Sequence, residues 1–515
     1  MKNNVIPRPK QMELSGGYLC VPPFYTLKDR SLYEALAAAS ELCDRVFGLA
    51  LRPLDVPEPD PFAFTPLTET GKAAGEGDAA KEDKSPVSLP GEDRCGTGIF
   101  VANDPSLKDG EFRMETGSAC RISASGPEGL ARAFSVLVQI SRRTCDRYIK
   151  IPKGTVSDSP DSPFRGLLLD VARRWHPVDY LYRYVDLCSL LGINRFVVHF
   201  TDDESYTLTS DLFPLLPSEG RHYTKEELRA LDSYAADRGV MIVPEIDMPG
   251  HSAQFGLKYG DVFGRCGIMD ASDAAFSALE TIYREASELF PNSKYIHVGG
   301  DEAILGRWSD SEATSSYMKE NGIPDFVTLY GHYVGRICSF ILSLGRVPIV
   351  WEGFGKSANG LVPKETLVIS WENHYQSAND LVDSGFTILN ASWRPLYVVS
   401  PWQKWSQSEI LGWDKYSFDH WWEKSMAYEH GVSVPKTSPV DGGMLCAWGD
   451  YLKNYESSRL ACQLEYACVM PRLSAIAERL WNDEGKDLDS FTEAYRNVVR
   501  ILSLIHGENA FRGEL

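Results

Sequence analysis

A (β/α)8 barrel preceded by a small α+β domain is the architecture this sequence predicts, and three observations predict it. The chain has 515 residues, 43% hydrophobic and 11% aromatic, enough to bury more than one core. From residue 164 onward, short apolar runs recur, separated mostly by helical stretches, the alternation that builds a parallel sheet. Before that point β-rich runs mix with helical patterns and end in "EGLARAFSVLVQISRR", where Leu130, Phe134, Leu137 and Ile140 share one helical face.

The N-terminal domain is expected over residues 1–155, and the barrel with its C-terminal helices over 156–515. Within the first domain, residues 58–97 are rich in Pro, Gly and charge and poor in large apolar groups, as expected of a mobile surface insertion. The barrel runs begin with "GLLLDVA" at 166, "RFVVHFT" at 195, "VMIVPEID" at 240 and "KYIHVGGDE" at 294. They continue with "VPIVWEG" at 347, "TLVISWE" at 366, "FTILNAS" at 386 and "GGMLCAWG" at 442. Eight of them favour a closed barrel over an open sheet. Thr224 and Glu227 form a capping-box pattern ahead of an inner face of Leu228, Leu231 and Tyr234, and Gly239 ends that helix. Between Trp351 and Thr366 the segment is broken by glycines and a proline, so one outer helix is expected to be degenerate.

A net charge of -19 disfavours nucleic-acid and anionic-membrane partners. The first residues lack an apolar signal core and no stretch of about 18 uncharged apolar residues occurs, so a cytoplasmic, membrane-free protein is expected. The eleven cysteines are scattered, without C-x-x-C pairs or Cys/His clusters of zinc-ligand spacing. Neither a metal nor another cofactor is expected.

In barrel enzymes the chemistry lies at the C-terminal ends of the strands, and every run here ends in reactive or aromatic residues. In order they are Arg173, Asp202 with Asp203, Asp247 with His251, Asp301 with Glu302, Trp351, Trp371, Tyr397, and Trp448 with Asp450. Singly each has a bland reading: Asp301 and Glu302 as a solvated loop, Arg173 as a surface pair, His251 as a turn residue, the tryptophans as core fillers. Together, carboxylates, one Arg, one His and three tryptophans around one mouth fit a sugar pocket, where aromatic faces stack on pyranose C–H faces and charged groups grip hydroxyls.

The motifs resemble those of family 20 glycoside hydrolases, the β-N-acetylhexosaminidases. "IPRPK" and the helix at 129–143 resemble the family's N-terminal domain, while "RGLLLDVARRWHP", "HFTDDESY", "PEIDMPGHS", "HVGGDEA" and "PRLSAIAERLW" match barrel motifs in the family's order. The resemblance implies substrate-assisted hydrolysis, in which the sugar's own C2 acetamido oxygen attacks C1 and no enzyme nucleophile is needed. Glu302 is then the general acid/base, its pKa expected to be raised by partial burial and by the Asp301 charge, while ionised Asp301 accepts the acetamido N–H. The resemblance further implies that Tyr397 donates to the acetamido oxygen, Trp351 and Trp371 wall the methyl pocket, Trp448 stacks beneath the ring, and Arg173 binds O3 and O4. Asp202, Asp247, His199 and His251 match family positions around the acid, where they are expected to hold the position and charge of Glu302.

Two positions depart from the family pattern: Val399 stands where an acid or Asn is usual, and Asp450 where Glu is usual, both normally facing O4 and O6. The implied partner is a glycan ending in N-acetylglucosamine (GlcNAc) or N-acetylgalactosamine (GalNAc), with specialisation for a 6-substituted sugar as one alternative. An inactive sugar-binding barrel and a hydrolase for sugars without the acetamido group are the others. The Trp-rich segment 393–422 is expected to shape the mouth, or else to serve packing or a contact between copies in a homo-oligomer.

Overall fold

The computed structural model describes residues 4–54, 98–399, 405–451, 458–483 and 488–507, so the insertion expected at 58–97 lies outside the described residues. Residues 162 onward form the barrel. Its strands are β1 (Phe164–Asp170), β2 (Arg195–His199), β3 (Met241–Glu245), β4 (Tyr295–His297), β5 (Val347–Trp351), β6 (Leu367–Ser370), β7 (Thr387–Asn390) and β8 (Val440–Trp448). Neighbours pair in parallel around the ring, and β8 closes it by pairing with both β7 and β1. Every residue of β1 is buried, because helices cover the outside and side chains fill the inside.

The two-residue period of the strands fixes which side chains point inward. Phe164, Leu168, Val197, Val243, Ile349, Ile369, Leu389 and Cys446 fill the interior as one apolar column. The next inward position of each strand, two residues on, is Asp170, His199, Glu245, Trp351, Trp371, Ala391 or Trp448, and His297 stands likewise above Tyr295. The top layer of the packed column is therefore also the floor of the mouth.

The outer helices follow their end signals. Thr224 caps Lys225–Asp237 in a complete capping box with Glu227, and Leu228 and Leu231 are buried. Between β5 and β6 only the 3-10 turn Lys356–Ala358 forms, the degenerate position expected from its glycines. Ahead of the barrel, a mixed sheet orders Gln11–Val21, Ile149–Asp158, Phe112–Thr116, Cys120–Ala124, Ile99–Asn103, Phe24–Leu27 and Arg52–Pro53. Helix Gly126–Ile140 is wedged between this sheet and the barrel helix Val178–Leu191, so that almost all of its length is buried rather than one face. No helix among the described residues is long and apolar enough to cross a membrane.

Candidate active site

The loop after β4 carries the adjacent acids, and its backbone explains how they fit. Gly299 and Gly300 have φ of +66° and +87°, and a Cβ on Gly299 would lie 1.8 Å from Asp247 Oδ1. Glycine is required there because the chain must turn left-handed against a carboxylate. The Gly300 N–H donates to Asp247 Oδ1 at 2.9 Å, and the turn delivers Asp301 into the mouth and Glu302, at φ +47°, to its rim. Asp301 is buried, whereas the Glu302 side chain keeps 56% of its surface exposed.

Acids and bases alternate from the floor to that rim. Glu245 Oε2 lies 2.9 Å from His199 Nδ1, and His199 Nε2 lies 3.0 Å from Asp202 Oδ2. The same Asp202 oxygen is 2.7 Å from Arg173 Nη2 and 3.4 Å from His251 Nδ1, and His251 Nε2 is 3.3 Å from Glu302 Oε2. Burial opposes charge on both histidines, but the flanking carboxylates outweigh it and hold their pKa values well above the ordinary imidazole range. Burial likewise pushes Asp202 up, yet His199, His251 and Arg173 hold it well below the carboxylate range. His297 differs: burial pushes its pKa down to about 4, and its Nδ1 accepts the Gly299 N–H at 3.0 Å.

The expectation for Glu302 needs correction. Its pKa is lowered, not raised, because His251 hydrogen-bonds its carboxylate and this outweighs partial burial. The raised acids are Asp247, pushed well up by burial and then by the Asp301 charge, and Asp301 itself, raised by burial against the pull of His251 and of a hydrogen bond with Asp247. Asp301 Oδ1, although buried, meets no N–H donor among the described residues.

Four rings face these groups. Trp351 and Trp371 meet edge to face at 6.0 Å between centroids, Trp371 stacks near-parallel on Tyr397 at 6.1 Å, and Trp448 lies 6.0 Å from Trp351. Trp351 is fixed by its Nε1–H donating to Glu245 Oε1 at 2.7 Å, and Trp371 by a bond to the Glu352 carbonyl at 3.0 Å. The Arg173 guanidinium carbon sits 5.2 Å above Trp448, with Asp170 Oδ2 at 3.2 Å and Asp450 Oδ1 at 3.7 Å. The arrangement is an aromatic box with a buried carboxylate at its wall, one oxygen of which no N–H serves among the described residues, and one accessible carboxylate at its lip.

Arg173, His199, Asp202, Asp247, His251, Asp301, Glu302, Trp351, Trp371, Tyr397, Trp448 and Asp450 all surround this mouth. Asp203 stands aside, exposed, accepting the Ala253 N–H at 2.9 Å. Of the Trp-rich segment, Trp393 stacks on Tyr397 at 4.5 Å and meets Trp421 edge-on at 5.7 Å. Sequence reasoning missed Asp170, Glu245 and His297, which the two-residue inward period could have found. It also missed Glu352 and Glu372, which follow two of the tryptophans. Burial first, then Glu352, Glu302 and Asp301, push Glu372 up to about 8.

His199, Glu245 and Asp247 offer ligand atoms within 4.8 Å of one another, as do Asp247, His251 and Asp301. In both groups the histidine lies against carboxylates that raise its pKa, so a metal there would have to displace the ring proton.

The sequence profile "Glycosyl hydrolase family 20, catalytic domain" matches residues 162–484, more than half of the chain. The chain belongs to glycosyl hydrolase family 20. It is 27% identical over 391 residues to human beta-hexosaminidase subunit beta, covering 72% of this chain and 66% of that one. The beta-hexosaminidase of Vibrio furnissii is 26% identical over 429 residues, 74% of this chain and 66% of the relative. The chain thus spans about two thirds of the length of these relatives. Among solved structures, the family 20 exo β-N-acetylglucosaminidase of Vibrio harveyi, in complex with N-acetylglucosamine, superposes with a TM-score of 0.76 at 20% identity, covering 98% of this chain and 78% of that one. The β-N-acetylhexosaminidase of Bacteroides fragilis gives 0.72 at 19% identity, covering 98% and 96%.

Proposed function

We propose that this family 20 protein is an exo-acting, retaining β-N-acetylhexosaminidase that releases terminal β-linked GlcNAc or GalNAc by substrate-assisted catalysis. The observation that carries the proposal is the buried Oδ1 of Asp301, which meets no N–H donor among the described residues, beside the box of Trp351, Trp371, Tyr397 and Trp448. A buried acceptor without a donor is costly, and an acetamido N–H supplies the donor it lacks.

In this reading the acetamido methyl occupies the box between Trp351 and Trp371, Tyr397 donates to the carbonyl oxygen, and Trp448 lies beneath the ring. The acetamido oxygen attacks C1 as the bond from C1 to the leaving oxygen breaks, and Glu302 gives its proton to that oxygen. Asp301, ionised, stabilises the positive charge spreading over the oxazolinium ring. Glu302 then takes a proton from water, which attacks C1 from the face the leaving group vacated, so the β configuration is retained. In the free enzyme Glu302 is held ionised by His251. An aglycone covering its exposed side chain removes water and favours the protonated form that the first step needs.

The edge facing O4 and O6 is built differently. Val399 is buried and apolar, and Asp450, 46% exposed, reaches only the Nε of Arg173, at 3.7 Å. With fewer polar groups to leave unpaired, this edge discriminates weakly. The kcat/KM values for GlcNAc and GalNAc aryl glycosides are expected within about tenfold of each other, with a 6-sulfated GlcNAc accepted, and Val399→Asp is expected to widen the gap.

The deciding experiment compares aryl β-glycosides of GlcNAc, GalNAc and glucose, with NMR of the first-formed anomer. Turnover of the two acetamido sugars with retention, none of glucose, and competitive inhibition by a thiazoline mimic of the bicyclic intermediate are expected. Inversion, or equal hydrolysis of the glucoside, overturns the mechanism.

A further inference from the structure

Away from the mouth, a cleft of about 830 Å³ opens between the N-terminal sheet and the C-terminal helix Leu488–His506. No barrel-strand residue lines it. Its floor is apolar, with Met12, Ile140 and Leu504, and its polar walls include Arg45, Arg142, Arg143 and Arg500. Among the described residues, no carboxylate lines it. In a chain of net charge -19, four converging arginines are out of keeping with the rest of the surface.

Their partners separate the four. Arg45 is neutralised by Asp186, 2.8 Å away, and by Glu41. Arg143 spends a donor on the Phe47 carbonyl at 3.2 Å, and Arg500 spends two on Asn497 Oδ1 at 3.3 and 3.0 Å. Those acceptors are neutral oxygens, and among the described residues neither charge has an ion-pair partner. Arg142 stands directly opposite Lys150 across an antiparallel strand pair, and Lys150 Nζ is drawn 4.3 Å over the Tyr18 ring. Two like charges thus share one face of that strand pair. Arg500 feels the same repulsion: burial and then the Arg142 charge lower its pKa.

We propose that this cleft is a binding site for a sulfate or phosphate ester carried on a small saccharide. Arg142 and Arg500, whose charges act on one another, meet the oxyanion, since guanidinium forks match tetrahedral oxyanions with paired N–H donors, and Arg143 on the other face of its strand adds charge to the rim. The sugar ring lies along Met12, Ile140 and Leu504, and the volume is that of a small-molecule site. The site is separate from the proposed hydrolysis, and its test does not depend on turnover.

Calorimetric titration of the full chain, its mouth blocked with thiazoline inhibitor, uses four probes: glucose 6-phosphate, glucose 6-sulfate, inorganic phosphate and glucose. The two esters are expected to bind, inorganic phosphate to bind at least about fivefold more weakly, and glucose not at all. Arg142→Ala with Arg500→Ala is expected to weaken ester binding at least tenfold while leaving aryl-glycoside turnover unchanged. Removing one side of a like-charge pair favours folding, and Arg142→Lys with Arg500→Lys, which keeps charge but loses the fork, is expected to fall between. Failure of both esters to bind, or binding unaltered in the double Ala variant, overturns the site. Equal affinity for inorganic phosphate overturns the saccharide as its ligand.

Discussion

Asp301 and Glu302 are adjacent in sequence but face different surroundings, and their substitution should fail in different ways. Glu302→Gln is expected to lower kcat by about 10²–10⁴-fold for natural glycosides and by much less for dinitrophenyl glycosides, which need no proton at the leaving oxygen. Asp301→Asn is expected to slow both, because it weakens the intermediate and not the protonation. Steady-state comparison of the two leaving-group classes separates the roles, and an equal loss in Glu302→Gln would remove it as the acid. His251 supplies a pH test. Its charge lowers the Glu302 pKa, so His251→Ala should raise it, letting the protonated acid persist to higher pH. The alkaline limb of the kcat/KM profile is therefore expected to move upward even as the rate falls; a downward move contradicts the assignment. At this scale the sequence exposed residue types but not their electrostatics. Glu302's neighbour in the chain suggested a raised pKa, whereas its neighbour in space is His251 from the loop after β3, which reverses the sign.

Among the elements, the loop after β6 shows how one side chain can build a wall. Glu352, fully buried just past β5, accepts the N–H of Asn373 at 2.7 Å on one oxygen and those of His374, Tyr375 and Gln376 at 3.0, 2.8 and 3.2 Å on the other. Asn373 adopts φ +52° so that four successive amides can turn toward one carboxylate. Burial pushes Glu352 up to about 7, with the four N–H groups opposing. A folded-state pKa above the ordinary 4.5 means that the folded protein holds a proton the unfolded chain releases. Stability from this group is complete below pH 4.5 and is lost as pH rises to about 7. Glu352→Gln should flatten the urea-denaturation stability profile across that window, and Glu352→Ala, which orphans all four amides, should cost about 3 kcal/mol. An unchanged slope in Glu352→Gln would show that the proton resides elsewhere. The strands were legible from their apolar runs, and the missing helix after β5 from its glycines. This loop was not, because nothing in "WENHYQS" signals that a glutamate twenty residues earlier holds it.

For the whole molecule, the question is whether the N-terminal sheet and the barrel fold as one unit. The seam is a buried knot: Arg132 of helix Gly126–Ile140 lies 3.4 Å from Asp158 and bonds the Pro7 carbonyl, with its guanidinium 4.7 Å over the Trp481 ring. From the barrel side, Arg165 of β1 stacks on the same ring at 4.9 Å, and the Trp481 indole N–H donates to Asp158 at 2.8 Å. Three segments far apart in the chain thus share one tryptophan, which is why composition and periodicity could separate the two domains but could not reveal their joint. Burial raises the Asp158 pKa and lowers that of Arg132, so each depends on the other to remain charged. Arg132→Met leaves Asp158 buried with its indole and backbone donors but without its countercharge, a change expected to cost about 3–5 kcal/mol. Arg132→Met with Asp158→Asn should recover part of that loss, since the uncompensated charge is gone. If the two parts are one cooperative unit, thermal unfolding followed by tryptophan fluorescence and by residual aryl-glycosidase activity should give a single coincident transition, lowered in the single variant and partly restored in the double. An early fluorescence transition that leaves activity intact would instead mean that the sheet unfolds separately and the barrel stands without it.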